Sequence, residues 1–308
     1  MSDMAIITPS YRPDFSLFQR LHESVVKYTE EDVMHHIIVP STDAEMFRSI
    51  VSPRLVVWTH QDVLPPGLKS TDRIAAGMRR LPIVPSRINC AAINWHRPWI
   101  PVRGWLLQQI LKLAIGSRVK ERVLLFLDSD VVLVRPVFSR TFIDEQGAVR
   151  LYGKANAITP EMERHYQWSL AAHEILGLPW LDEGMYPDHV AGIVSWDREV
   201  LRRCLLRVEE VAGRRWEQVI AERRHFSEWM LYGTYVRHFG SDQEKGFQRE
   251  STLCHSYWSQ TPMTSKEALE FSEGFTNEDV AVHVQSKSMT DQDTFRIVLE
   301  RVGEEELG

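Results

Sequence analysis

Two aspartates one residue apart, Asp128 and Asp130, follow the most apolar short run in the chain, Val123-Leu124-Leu125-Phe126-Leu127. Such a run reads as a central parallel strand buried on both faces. Ligands of open α/β sheets bind just beyond the carboxyl ends of their strands. Two carboxylates this close repel each other unless a cation lies between or near them. Hard divalent cations take oxygen ligands and are commonly completed by substrate phosphates. Asp128-Ser129-Asp130 at a strand end therefore reads as a metal–diphosphate site for Mn²⁺ or Mg²⁺. In other settings an Asp-x-Asp is an ordinary turn; the strand before it decides for the metal.

The same pattern admits a second chemistry. Asp-x-Asp-x-Val after an apolar strand is similar to the haloacid-dehalogenase phosphatases, with Asp128 as nucleophile. Those enzymes carry the motif on their first strand and need a later acidic pair. Here three strands are predicted to precede it and no Gly-Asp-x-x-x-Asp follows. Nearby, Gln109 and Lys112 are three apart and share one face of a predicted helix that leads into the Asp128 strand. Lys112 can pair there with a donor diphosphate or with Asp128. Asp62, after the third strand, is a candidate for ribose or base binding, or else a loop cap.

These residues need a scaffold. Ala5-Ile6-Ile7-Thr8 reads as a buried strand ended by Pro9. Leu17, Leu21 and Val25 then recur at helical spacing. His36-Ile37-Ile38-Val39 and Leu55-Val56-Val57-Trp58 are further strands, with a helix between them capped by Ser41-Thr42-Asp43. Alternation of this kind predicts βαβ units and a mostly parallel sheet. Residues 64–102 lose the pattern, and so long an irregular segment in a compact domain reads as a functional loop. Either it or residues 240–264 is expected to act as a lid over bound donor. In the second half, strands are expected at 149–152, 190–194 and 280–284, and helices at 161–176, 198–211, 216–223 and 227–237. One domain covers residues 1–308 in this reading, with a nucleotide-sugar half to about residue 135 and an acceptor-binding, metal-completing half from 136.

Composition bounds the function. The 308 residues are 44% hydrophobic and 25% charged, ordinary for a globular protein. A net charge of −6 argues against a dedicated nucleic-acid surface, which needs a basic face. No run approaches the roughly 18–20 apolar residues that span a bilayer, and no basic leader precedes the first strand. Three separated cysteines, Cys90, Cys204 and Cys254, read as reduced thiols. A cytoplasmic location is the expectation. Ten tryptophans, several beside polar residues as in Asn94-Trp95-His96-Arg97-Pro98-Trp99, suit stacking on sugars or bases as well as core packing.

Ile7-Thr8-Pro9-Ser10-Tyr11 resembles the opening strand and turn of GT-A glycosyltransferases, and Leu125-Phe126-Leu127-Asp128-Ser129-Asp130 resembles their D-x-D motif. Add Gly104-Trp105-x-x-Gln108-Gln109-x-x-Lys112-Leu113 and Phe226-Ser227-Glu228-x-x-x-Tyr232-Gly233, and the ordered set resembles the bacterial DUF6492 family of GT-A-like proteins. The resemblance runs from about Ala5 to Lys287. It departs from the commonest inverting pattern after the second strand, where Pro40-Ser41-Thr42-Asp43 replaces Asp-Asp-Gly-Ser.

The resemblance implies an α/β, Rossmann-like GT-A fold. It implies transfer of a sugar from a UDP- or GDP-sugar to a hydroxyl acceptor. Thr8, Pro9 and Tyr11 would line the base or ribose pocket and Arg12 would reach a phosphate. Gln109, Lys112, Ser129 and Lys287 would serve the donor, with Asp188 and Gly192 near its sugar. His283, within Val282-His283-Val284-Gln285-Ser286-Lys287, would join Asp128 and Asp130 on the metal; neutral imidazole suits Mn²⁺ beside carboxylates. Glu228 falls where GT-A enzymes carry an acceptor-facing acid, able to take the proton of an attacking hydroxyl. At a helix start it also complements the helix dipole. A sugar-nucleotide-binding protein without turnover is the third reading; Asp128, Asp130, Glu228 and His283 together speak against it.

Overall fold

The structure, a computed structural model, describes residues 2–72, 91–180 and 184–304. Its main sheet contains β1 (Met4–Pro9), β2 (Met34–Val39), β3 (Leu55–Thr59), β4 (Val123–Leu127) and, after the intervening short strand β5 (Val131–Leu133), β6 (Ile193–Asp197). The order is β6-β4-β1-β2-β3. All neighbours are parallel except β6, which runs antiparallel to β4. The fold is thus α/β with a mostly parallel central sheet, as the strand–helix alternation predicts.

The sheet is apolar on both faces because alternate residues serve two cores. Ile7, Leu124 and Phe126 join one apolar cluster with α2 (Gly104–Ile115), which follows α1 (Phe15–Tyr28) among the helices named here. The same cluster takes in α3 (Glu163–Leu176), α4 (Arg198–Ala212) and α5 (Glu228–Phe239). Ile6, Leu125 and Leu127 join the other cluster with Leu21 and Val25 of α1. A second sheet has β7 (Cys254–Tyr257) parallel to β8 (Ala281–Val284), and β8 antiparallel to β5. The three residues Asp128, Ser129 and Asp130 are the whole link from β4 in the first sheet to β5 in the second.

Several boundaries differ from those read in the sequence. Only Leu151–Tyr152 of the 149–152 run is a strand, pairing with Gln248–Arg249. The strand expected at 190–194 begins at Ile193, because Asp188 and Val190 are tied into a turn before it. Residues 240–264 carry regular structure. They form the short helix Asp242–Gly246, the strand Gln248–Arg249 and β7. In the 64–102 segment, Leu68–Ser70, Ala92–Asn94 and Pro101–Val102 form a small antiparallel sheet, while 73–90, including Cys90, lie outside the described residues. Cys204 and Cys254 are buried free thiols, and burial pushes the Cys254 thiol up to about 12. No described helix is long and apolar enough to cross a membrane.

Candidate functional site

Strand β4 stays apolar between β1 and β6, and the first polar side chain after it is Asp128. A turn closed by Val131 N–H donating to the Asp128 carbonyl (3.1 Å) leads the chain into β5. Around this turn the two carboxylates meet different partners. Asp128 is 40% exposed and accepts from Lys112 Nζ at 3.2 Å. Asp130 is 14% exposed. Its Oδ2 accepts from the Ser286 backbone N–H at 2.8 Å, and its Oδ1 lies 3.5 Å from His283 Nε2.

Sheet register explains how a histidine so late in the chain arrives here. His283 on β8 pairs with Val131 on β5, next to Asp130. The Trp258 ring packs against its imidazole, centroids 4.4 Å apart. Burial alone would raise the Asp130 carboxyl, but His283 and the Ser286 N–H outweigh it and hold the group below its ordinary value. Among the described residues His283 Nδ1 is buried with no partner.

Lys112 comes from the α2 face that also carries Gln109, as the three-residue spacing predicts. It is buried, with Glu228 Oε1 3.4 Å away on its other side and the Trp229 ring centroid at 4.2 Å. Burial opposes its charge, yet Asp128 and Glu228 together raise its affinity for the proton, so it stays an ammonium. Glu228 opens α5 just after the N-cap Ser227, whose hydroxyl accepts from Met230 N–H. Gln109 Oε1 accepts from the Glu228 N–H at 3.2 Å. Glu228 is 2% exposed, and burial pushes its carboxyl up against the opposing pull of Lys112. Its Oε2 and Gln109 Nε2 have no partner among the described residues.

A fourth carboxylate belongs to this region and was not singled out from the sequence. Asp14 is pushed up to about 6, first by burial and then by Asp130 and Asp128. The Tyr11 hydroxyl is raised by burial, Asp14 and Asp130. The signal available was position alone: Asp14 ends the turn after β1, facing the β4 end across adjacent strands. A cavity of about 230 Å³ runs from Ser129 and Asp130 past Arg20 to Ser286 and Phe295.

Other expected donor residues are engaged within the chain. Thr8 is fully buried and its hydroxyl pairs with His35 Nε2 at 3.0 Å, so it is not open to a ligand. Pro9 is buried at the end of β1. Arg12 binds Asp43 through its N–H (2.8 Å) and guanidinium (3.4 Å). Asp62 closes a capping box with Thr59 on the short helix His60–Val63. Ser129 donates to Ser10 Oγ at 2.8 Å. Gly192 is pressed against β7; a Cβ there would lie 2.8 Å from Cys254 Sγ. Tyr11 is 49% exposed beside the carboxylates, and Lys287 is exposed next to Ser286.

The arrangement gathers oxygen and imidazole donors, a buried ammonium and a buried carboxylate around one strand end. Among curated proteins none matches this chain. One solved structure, of an active-site mutant of LgtC, aligns over 98% of this chain and 96% of that one, with 12% identity and a TM-score of 0.46. The DUF6492 model, described as a family of unknown function, matches residues 5–301, and the chain belongs to that family.

Proposed function

We propose that the protein is a metal-dependent glycosyltransferase of the GT-A type, moving a sugar from a UDP- or GDP-sugar to a hydroxyl acceptor. The observation that carries this reading is the Asp130–His283 pairing at the junction of the two sheets, with Asp128 beside it. By type the donor set suits Mn²⁺ or Mg²⁺, carboxylate oxygens and an imidazole, although among the described residues no three acidic, histidine or cysteine groups stand close enough together to hold an ion. The field of Asp128 and Asp130 at Asp14 is excess negative charge that a cation would offset. Held by Asp128, Asp130 and His283, such an ion would supply positive charge against a diphosphate leaving group.

The chain's own groups do the rest. The Ser286 N–H fixes the Asp130 carboxylate. Lys112, kept charged, adds a second positive centre at Asp128. The acceptor oxygen bonds to the anomeric carbon as the bond from that carbon to the diphosphate oxygen breaks, its electrons leaving with the nucleoside diphosphate. Glu228, through its unpartnered Oε2, takes the acceptor proton, its raised proton affinity suiting a base. A base in that role implies in-line attack and inversion. In this reading residues 1–135 form the donor half of one domain and 136–308 the acceptor half.

A thermal-shift series tests the donor claim. Ligands that bind the folded state raise its stability by mass action, about 2.7 kcal/mol at a hundred times Kd. UDP or GDP should raise Tm with Mn²⁺ present and lose that effect in EDTA. No shift with either nucleotide at millimolar Mn²⁺ contradicts the reading.

A further inference from the structure

A second, larger cavity of about 560 Å³ lies where α2 begins, between that helix, α3 and the chain entering α5. Its size falls in the range of small-molecule sites, roughly 300–1,000 Å³. Although the chain carries a net charge of −6, this cavity is lined by Arg103, Arg164, Arg223, Arg224 and Lys287. One acid is on its wall, Glu222, and that acid is already held. Arg214 makes two hydrogen bonds to it (2.7 and 2.9 Å), and Arg97 lies at 3.2 Å. Arg223 is bound to Glu174 at 2.7 Å. Among the described residues Arg103, Arg164, Arg224 and Lys287 have no carboxylate partner. Like charges gathered in a cleft repel one another, and the cleft focuses their field on whatever enters it.

The wall is also aromatic. Trp105 stacks on Trp168 with centroids 5.8 Å apart and planes at 15°, and Trp105 is half exposed. The Arg164 guanidinium lies over the Trp168 ring at 6.0 Å. Cations beside a stacked indole pair suit a ligand with a ring and a negative group.

The cavity adjoins the transfer site. Phe226 on its wall is two residues before Glu228, and Leu106 is three before Gln109 on α2. Lys287 follows Ser286, which lines the smaller cavity at Asp130. We infer that the larger cavity binds the acceptor, and that the acceptor is an anionic saccharide bearing a phosphate or carboxylate. This rests on the transferase reading for the word acceptor; the anion site stands on its own residues.

Equilibrium titrations test it with glucose 6-phosphate, glucuronate and uncharged glucose, each with and without UDP and Mn²⁺. The anionic sugars should bind and glucose should not, and UDP–Mn²⁺ should not displace them. Comparison of the two anions tells which group is preferred. The double variant Arg164→Gln/Arg224→Gln should weaken anion binding at least about tenfold, as expected for lost charge-assisted hydrogen bonds, while still binding UDP–Mn²⁺. Glucose binding as well as glucose 6-phosphate, or undiminished anion binding by the double variant, overturns the inference. Displacement by UDP–Mn²⁺ also overturns it and makes the cavity part of the donor site. UDP–Mn²⁺ binding with no anionic sugar bound sinks this inference alone; anionic sugar binding with no nucleotide bound sinks the transferase reading and leaves the anion site.

Discussion

The turn after β1 and the end of β4 lie on neighbouring strands, yet they use their polar groups in opposite ways. After β1 and β3, Thr8 binds His35, Arg12 binds Asp43 and Asp62 binds Thr59. At the end of β4, Asp128 and Asp130 carry one field, felt by Asp14 on the first turn itself, and His283 Nδ1, Glu228 Oε2 and Gln109 Nε2 are buried without partners among the described residues. Buried polar atoms left unsatisfied cost about 1–3 kcal/mol each. Unpartnered buried atoms also occur beside the first set, at Ser41 Oγ and His60 Nδ1, so the contrast lies in the shared charge at the β4 end rather than in unsatisfied atoms alone. Residue type alone did not separate the two turns; the partners did.

Variants on either side sharpen that contrast. The largest effect is expected at Glu228. Glu228→Gln keeps the shape but cannot accept a proton, so transfer should fall by roughly 10²–10⁴-fold with donor affinity nearly unchanged. Near-normal transfer in the folded variant would leave Glu228 as no more than a partner for Lys112, and a large loss of donor affinity would move it to the donor side.

The buried histidines beneath the first turn should reveal themselves through pH. Burial holds His22 down to about 4 and His35 well below its ordinary value, so both are neutral when folded. The unfolded chain binds protons on these groups from about pH 6.5 downward, so the stability they contribute is present above that pH and lost toward about pH 4. Urea unfolding should show a loss of about 2 kcal/mol between pH 7 and pH 5 from His22 alone, with His35 adding to it. A His22→Gln protein with the same pH slope as the parent would contradict the assignment. Smallest is Asp62→Ala, which removes one arm of a helix cap. It should cost about 1 kcal/mol of stability and leave transfer near normal; a large rise in donor KM would return Asp62 to the donor site.

Much of the frame was legible in the sequence because hydrophobic periodicity is local. The Val123–Leu127 run gave a central strand, and the Gln109–Lys112 spacing gave one helix face. What local pattern cannot carry is pairing between distant segments. The antiparallel register of β8 on β5, which brings His283 to Asp130, was available only through resemblance. Glu228 was expected to face an acceptor, and nothing in Phe226-Ser227-Glu228 indicates that Lys112 sits against it. Asp14 was missed because its distinction is the field of two aspartates from another strand. Thr8 is expected by resemblance to line a base or ribose pocket, and a strand-end threonine gives no sign that a histidine on the next strand takes its hydroxyl.

Turnover of a nucleotide sugar at the β4 end is what we propose for this protein. The direct measurement is release of nucleoside diphosphate from a panel of UDP- and GDP-sugars with Mn²⁺, run side by side on the parent protein and on folded Asp130→Ala. The parent should release it from at least one donor, with inhibition by EDTA and recovery on added Mn²⁺, and Asp130→Ala should release none. Equal release by Asp130→Ala, or release of phosphate from a simple monoester with none from any nucleotide sugar, would contradict the proposal.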